Sequence, residues 1–532
     1  MIKQQNITIK GISYDISIAS YVLDPNHNKL DIENLAENYL DINVKEILDE
    51  EEGTKQEQIN LFDTVEENKD DKVKKYTLYA YIISKIKDVT EKGAVCLIVQ
   101  KDVNPVPGVL IVKVESTRYA MGIISSNFYG NPSSKLTVIG ITGTKGKTTT
   151  TYMIREMLMS AGHKTGLIGT IEIMDGKEVI PANNTTPESM IVHKKLKDML
   201  DNGLDSVVME VSSQGLMLDR VAGVDFDYGI FSNLSRDHIG PNEHKTFEEY
   251  AMWKSKLFTM CKTGIFNADD AHVDMMTEHA ACKIVTYGIH GDYDYKANDH
   301  NLYNKDGHLG IGYHLSGKLN GDVLVNLPGN FSIYNSLAAI AVADLMGVPF
   351  DKIQAILKTI KVKGRVELIP ISDKFTIMID YAHNAVSLES ILETLREYNP
   401  GRLVSLFGCG GDRSKERRFE MGEVSGNMAD LTIITSDNPR SEDPQAIIND
   451  IKTGIDKTTG KYVEIIDRKE AIRYAIMHAE PGDVIVLAGK GHEDYQEIKG
   501  VKYHMDERGL IREILEEEDV TKICGYNNRY FA

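Results

Sequence analysis

Val138-Ile139-Gly140-Ile141-Thr142-Gly143-Thr144-Lys145-Gly146-Lys147-Thr148-Thr149-Thr150 is a β-branched run that enters a glycine-rich turn. A segment of helical period follows from about Thr149 to Ala161. Strand, loop and helix in that order gather the loop's backbone N–H groups and the positive end of the helix around one point, which makes a cradle for an anion. Lys147 adds a point charge for terminal phosphates, and Thr148 offers a hydroxyl to Mg²⁺. The pattern is G-T-x-G-K-T; the longer G-x4-G-K-T spacing fails because Ile141 stands at its first glycine. Gly143, Thr144, Lys145, Gly146, Lys147, Thr148 and Thr149 are therefore the expected nucleotide loop. A chance Lys-Thr in a glycine turn would not need the strand and helix that flank it here.

Outward from the loop, residues 136–361 alternate strands with helices, which implies a mainly parallel sheet. Residues 205–211 read as a buried strand carrying Glu210 near its end. Residues 227–234 read as another, followed at once by Ser235-Arg236-Asp237-His238. Such folds place ligands just past the C-terminal ends of parallel strands, so Glu210 is a candidate for Mg²⁺ beside Thr148. The plainer alternatives are a surface carboxylate for Glu210 and a satisfied core histidine for His238. From about Val362 the pattern restarts. Residues 375–381, 403–407, 431–435 and 484–488 are apolar runs. They release, in turn, Ala382-His383-Asn384, the cluster from Gly408 to Arg413, Ser436-Asp437-Asn438-Pro439-Arg440 and Gly489-Lys490-Gly491-His492-Glu493. Four strands with polar clusters at one end describe a second α/β domain built around a ligand.

Before the loop the pattern is weaker. Residues 9–15 suggest a short strand and turn, and residues 45–75 are very polar and read as a solvated helix or loop. Residues 93–99 and 108–114 are apolar runs of buried-strand length. Residues 116–128 have helical spacing, and residues 130–134 form a turn cluster and a domain boundary.

The 532 residues allow three to four domains of roughly 150 residues each. A net charge of −19 argues against nucleic acid as partner and, with the loop, for a small phosphorylated ligand. Five scattered cysteines, none in C-x-x-C spacing, read as reduced thiols. The N-terminus lacks an apolar signal region, and no run of 18 apolar residues occurs. A cytoplasmic protein without a membrane span is expected.

Taken in order, Gly143–Thr148 of the loop, Thr185-Thr186-Pro187, Glu210-Val211-Ser212-Ser213, the residues from Asn233 to His238, Tyr381-Ala382-His383 and Gly489-Lys490-Gly491-His492-Glu493 form a series that resembles the Mur ligases. These are ATP-dependent amide-forming enzymes of peptidoglycan precursor synthesis. The resemblance spans roughly residues 85–515 and is strongest to the tripeptide-forming branch. It implies an α/β protein of three domains: a smaller N-terminal UDP-substrate-binding domain over 1–135, a central P-loop ATPase over 136–361, and a Rossmann-like amino-acid domain over 362–532. It implies ATP and Mg²⁺, and addition of meso-diaminopimelate to a UDP-muramoyl dipeptide through an acyl phosphate; separately, a monomer is expected.

By the same resemblance Lys147, His238 and Lys254 are catalytic, and Thr148, Glu210, His238 and Lys254 lie at the metals, Lys254 as the lysine that the family carbamylates. Asn335, Arg365, Asp380, Tyr381 and His383 join the loop on the ATP side. Asn184, Thr185, Thr186, Ser212 and Arg220 hold the UDP-muramoyl dipeptide. Asp437, Asn438, Pro439, Arg440, Arg418, Gly489 and Glu493 hold diaminopimelate, with Arg440 and Arg418 on the distal carboxylate that lysine lacks and Glu493 on the distal ammonium.

Three departures stand out. Lys145 replaces an asparagine, Leu218 replaces a polar UDP-sugar contact, and the Ser-Arg and D-G segments expected after Asp15 are missing. The altered N-terminal region motivates an alternative, a Mur-type ligase acting on another carboxylate. A non-catalytic scaffold is the third reading, and it would need none of Lys147, Thr148, Glu210, His238 and Lys254.

Overall fold

The computed structural model describes residue 89 and residues 93–237, 239–240, 243–305 and 308–527. The expectations for residues 9–15 and 45–75 lie outside them. The chain divides into two compact units, residues 1–128 with 218–223, and residues 129–217 with 224–532.

In the first unit, β1 (Cys96–Val99) and β2 (Leu110–Lys113) pair in parallel, with Cys96 opposite Leu110. The sequence predicts two buried strands of seven residues. The structure has two of four residues, and β2 is largely exposed, Leu110 by 57%. Burial of a strand's faces needs a layer packed on them, which apolar length alone does not supply. The predicted helix is present as Thr117–Phe128. The segment 218–223, which carries Leu218 and Arg220, lies against it: Ser126 Oγ donates to Gly223 O at 3.0 Å. A Cβ on Gly122 would stand 2.6 Å from Ala222 O.

The second unit holds an eleven-stranded sheet made of β3 (Thr137–Thr142), β4 (Thr165–Ile168), β5 (Glu172–Met174), β6 (Val179–Pro181), β7 (Ser206–Glu210), β8 (Phe226–Phe231), β9 (Cys261–Asn267), β10 (Lys283–Gly288), β11 (Tyr295–Lys305), β12 (His308–Gly317) and β13 (Gly321–Val325). Their order is β13-β12-β11-β10-β9-β8-β3-β7-β4-β5-β6. The stretch from β10 to β4 is wholly parallel, and antiparallel ribbons extend both ends. β3 and β7 are buried almost throughout because helices cover both faces, which is why they read as unbroken apolar runs. Helix Phe331–Leu345 packs against β9 to β13, and Ile333 and every residue from Leu337 to Ala343 are fully enclosed.

A second sheet comprises β14 (Glu367–Ile369), β15 (Thr376–Asp380), β16 (Leu403–Phe407), β17 (Leu431–Ile434), β18 (Tyr462–Glu464) and β19 (Val484–Ala488), in the order β14-β15-β19-β16-β17-β18. Only the edge strand β14 is antiparallel. A hairpin of β20 (Tyr495–Ile498) and β21 (Val501–His504) follows. Side chains alternate across a strand. Val484, Val486 and Ala488 of β19 accordingly join Leu388, Leu392 and Met421 on one face, and Ile485 and Leu487 join Ile472, Ile476 and Ile511 on the other. Leu487 is fully buried, so Leu487→Ala is expected to destabilise the protein by about 2–5 kcal/mol, read as a lower urea midpoint at unchanged m-value.

No helix among the described residues is long and apolar enough to cross a membrane.

Candidate active site

The loop after β3 is shaped by two glycines in the left-handed half of φ, Gly143 (φ 148°) and Gly146 (φ 85°). A Cβ on the first would collide with Ser232 Oγ, and one on the second with Asn335 Oδ1. Only glycine lets the backbone approach these side chains while its N–H groups line the cradle. Helix Lys147–Ser160 starts two residues earlier than its periodicity suggests and is capped by Gly146. Lys147 and Thr148 therefore occupy its first turn, where backbone N–H groups lack helical partners. Thr144 is fixed by Tyr250 (hydroxyls 3.1 Å apart) and by Ser235 N (3.0 Å). Lys145 is exposed. Its N–H donates to Asn233 Oδ1, and its carbonyl accepts from Asn233 Nδ2 and Ser232 Oγ, each at 2.9 Å. The loop thus uses the backbone of Lys145, and the exchange of asparagine for lysine leaves that wiring untouched.

Glu210, at the C-terminal end of β7, is 1% exposed. Thr148 Oγ1 donates to its Oε1 at 2.9 Å, Thr170 N to the same oxygen at 2.8 Å, and Thr170 Oγ1 to Oε2 at 3.0 Å. The Glu210 carboxylate and the Thr148 hydroxyl, beside a phosphate cradle, are oxygen groups of the kind a hard divalent cation takes. His238, expected in this set, lies outside the described residues.

Lys254 is buried on helix Phe247–Ser255. Its Nζ donates to Gly143 O at 2.8 Å and lies 4.5 Å from the Tyr250 ring centroid. Burial holds its amine well below the usual lysine range, and the nearby Lys147 charge pushes it further down. Lys147 Nζ bends back onto Gly143 O (2.9 Å) and Thr144 O (3.1 Å), and burial depresses it as well. Two lysines thus meet at the carbonyl of one loop glycine.

The dipeptide-side expectations converge in part. Thr185 Oγ1 is 3.1 Å from Thr170 Oγ1. Thr186 Oγ1 accepts from Ser212 N at 2.9 Å and donates to the Glu210 carbonyl at 2.9 Å. Asn184 precedes them in the same bend. Thr170, which orients Glu210 and meets Thr185, carries no sequence signal, since it lies outside every motif. Arg220 belongs to the first unit.

On the second sheet, Asp380 ends β15 and receives Val366 N (2.8 Å) and Ala382 N (2.9 Å). Burial pushes its carboxyl up, against the pull of Arg365 and those two N–H groups. Arg365 lies 4.5 Å from the centroid of the Tyr381 ring, which also meets His383 (4.7 Å) and His492 (4.8 Å). Burial among cations pushes His492 down to about 3, so it is neutral.

The tips of β17 and β19 bring together Asp437, Asn438, Pro439, Arg440, Gly489 and Glu493. Gly489 takes φ 109°, where a Cβ would stand 2.9 Å from Asp437 Oδ2. Asn438 Nδ2 donates to Glu493 Oε2 at 2.9 Å. Arg440 is a non-glycine residue at φ 51°. Its Nη1 donates to Gly411 O at 2.7 Å and its Nε to Glu497 Oε2 at 3.2 Å. Backbone strain of this kind persists where the surroundings over-determine it, as they do at binding sites.

Arg418, expected at the distal carboxylate, is paired within the protein. It is 1% exposed, and its Nη atoms serve Glu442 (2.6 and 2.8 Å) and Asp450 (2.9 Å) inside the protein. Its charge is already neutralised by two carboxylates. Arg413, at the tip of β16, is exposed, and a Cβ on Gly410 would lie 2.8 Å from Arg440 Nη1 and 3.8 Å from Arg413 Cγ. The signal for Arg413 was its position directly after the Gly-Cys-Gly-Gly-Asp run at the tip of β16.

A phosphate loop on one parallel sheet and a charged strand-tip site on a second define an ATP-dependent ligase, and the chain belongs to the Mur ligase family. Models of the Mur ligase middle domain and of the Mur ligase glutamate ligase domain match residues 141–343 and 364–491. The chain is 46% identical over 435 residues to the UDP-N-acetylmuramoyl-L-alanyl-D-glutamate–2,6-diaminopimelate ligase of Caldanaerobacter subterraneus subsp. tengcongensis, covering 82% of this chain and 89% of that one. It is 44% identical over 440 residues to the ligase of the same name from Clostridium perfringens, covering 81% and 89%. A solved structure of a UDP-N-acetylmuramoyl-L-alanyl-D-glutamate–2,6-diaminopimelate ligase superposes with a TM-score of 0.61 at 32% identity, over 81% of this chain and 89% of that one. A model of the DNA polymerase I ribonuclease H-like domain matches residues 1–52, outside the described residues.

Proposed function

We propose that the protein joins meso-diaminopimelate to the γ-carboxylate of UDP-N-acetylmuramoyl-L-alanyl-D-glutamate, with ATP converted to ADP and phosphate. The observation that carries this reading is the strained Arg440 at the tip of β17, with Asp437 and Glu493 at the same strand tips: a cation and carboxylates suited to an amino acid whose far end bears both an ammonium and a carboxylate. The names of the similar ligases support it.

A carboxylate is a poor electrophile, and transfer of the γ-phosphoryl group to it supplies a leaving group. The amine of diaminopimelate then attacks the acyl carbon, and phosphate departs from the tetrahedral intermediate. Lys147 and the N–H groups of the loop offset the charge of two anions brought together. Thr148 and Glu210, with His238, would hold Mg²⁺; Thr170 keeps Glu210 oriented. When bound, Mg²⁺ neutralises phosphate oxygens. Burial favours the neutral Lys254 amine, the form that would add CO₂ and release a proton to give a carbamate anion. Arg365, Asp380, Tyr381 and His383 face the nucleotide from the second sheet, whose domain we place at 362–532, after a central domain over 136–361. The same reading has the enzyme act as a cytoplasmic monomer.

Phosphate release with ATP, Mg²⁺, the UDP-muramoyl dipeptide and either meso-diaminopimelate or L-lysine tests it. Turnover with diaminopimelate and much slower turnover with lysine is expected. No turnover with either would move the acceptor to a different carboxylate.

A further inference from the structure

Lys490 has no role in the chemistry above, yet it is fully buried at the tip of β19. Its Nζ donates to Asn438 Oδ1 (2.9 Å) and Glu493 Oε2 (2.8 Å) and stands 3.6 Å from Asp437 Oδ1. The same Asn438 oxygen accepts Glu497 N at 2.9 Å, and Glu497 Oε2 accepts Arg440 Nε. One ammonium therefore touches three residues of the amino-acid site and is linked through Asn438 and Glu497 to a fourth. Burying a lysine is costly, and apolar replacements of buried pairs are often as stable. Stability alone gives little reason to keep it there.

We propose that Lys490 is a specificity-determining positioning residue: it sets the net charge of the amino-acid site and so favours a substrate with a distal carboxylate over one without. This rests on the function proposed above. Without Lys490, Asp437 and Glu493 form an uncompensated pair of carboxylates. A distal ammonium gains from that change and a distal carboxylate loses. Diaminopimelate carries both groups and lysine only the ammonium, so the ratio of their kcat/KM values isolates the carboxylate's interaction with Lys490.

The test measures kcat/KM for meso-diaminopimelate and L-lysine by phosphate release, in the unaltered enzyme, Lys490→Met and Lys490→Arg. The diaminopimelate-to-lysine ratio is expected to fall at least about tenfold in Lys490→Met, the order of effect of removing a unit charge from a partly desolvated site. Lys490→Arg, which keeps the charge, is expected to hold the ratio far better. Equal loss with both amino acids, or no change in the ratio, overturns the proposal and leaves Lys490 a structural residue. Should Lys490→Met not fold, Lys490→Gln reads the same ratio. An unaltered enzyme that uses neither amino acid overturns the functional reading and this inference together, an outcome distinct from failure of the ratio in an active enzyme.

Discussion

Lys147→Ala is expected to abolish turnover while the fold survives. The ammonium sits in the first turn of a helix whose loop forms the phosphate cradle, and its present partners are two loop carbonyls, Gly143 O and Thr144 O. Losing them costs about 1 kcal/mol each, so Tm should drop by only a few degrees. Burial already disfavours this charge in the absence of a counter-anion. A polyphosphate supplies that counter-charge, and the demand grows as negative charge moves toward the acceptor carboxylate. Removing one preorganised donor of this kind is expected to slow the reaction at least about a thousandfold, about 4 kcal/mol. Phosphate release measures the first effect and thermal unfolding the second. Turnover within tenfold of the unaltered enzyme would take Lys147 out of the chemistry.

Arg440→Ala should lower kcat/KM for diaminopimelate by about 2–4 kcal/mol, roughly thirty- to a thousandfold, because a desolvated carboxylate would lose its charged partner. Alanine at φ 51° meets the same backbone strain as arginine, so the change removes the guanidinium without relieving or adding strain. Use of lysine, which has no distal carboxylate, is expected to change far less. Undiminished use of diaminopimelate would leave Arg413 as the group to test and would remove Arg440 as the basis for substrate choice.

The elements that place both sites were legible because parallel strands covered on both faces are apolar throughout, and their ligand-facing residues follow at once. Residues 403–407 and 484–488 are strands with the predicted bounds, and Glu210 lies on a strand end beside Thr148 as expected. The strands before the loop are shorter and more exposed than their apolar length predicts: β2 spans four residues and is largely exposed. The pairing of Arg418 was not legible, because spacing cannot reveal that Glu442 and Asp450, 24 and 32 residues away, bind its guanidinium.

From the sequence alone came the order of strands and helices, the phosphate loop and the polar clusters at the strand tips, because those depend on period, glycine and local capping. Only the tertiary structure decided which charges are free and which are paired. It paired Arg418 with Glu442 and Asp450, set Thr170 on both oxygens of Glu210, and buried Lys490 among Asp437, Asn438 and Glu493. The reason is physical: pairing and desolvation depend on groups far apart in the chain that meet only when the sheets assemble, and no local pattern encodes them.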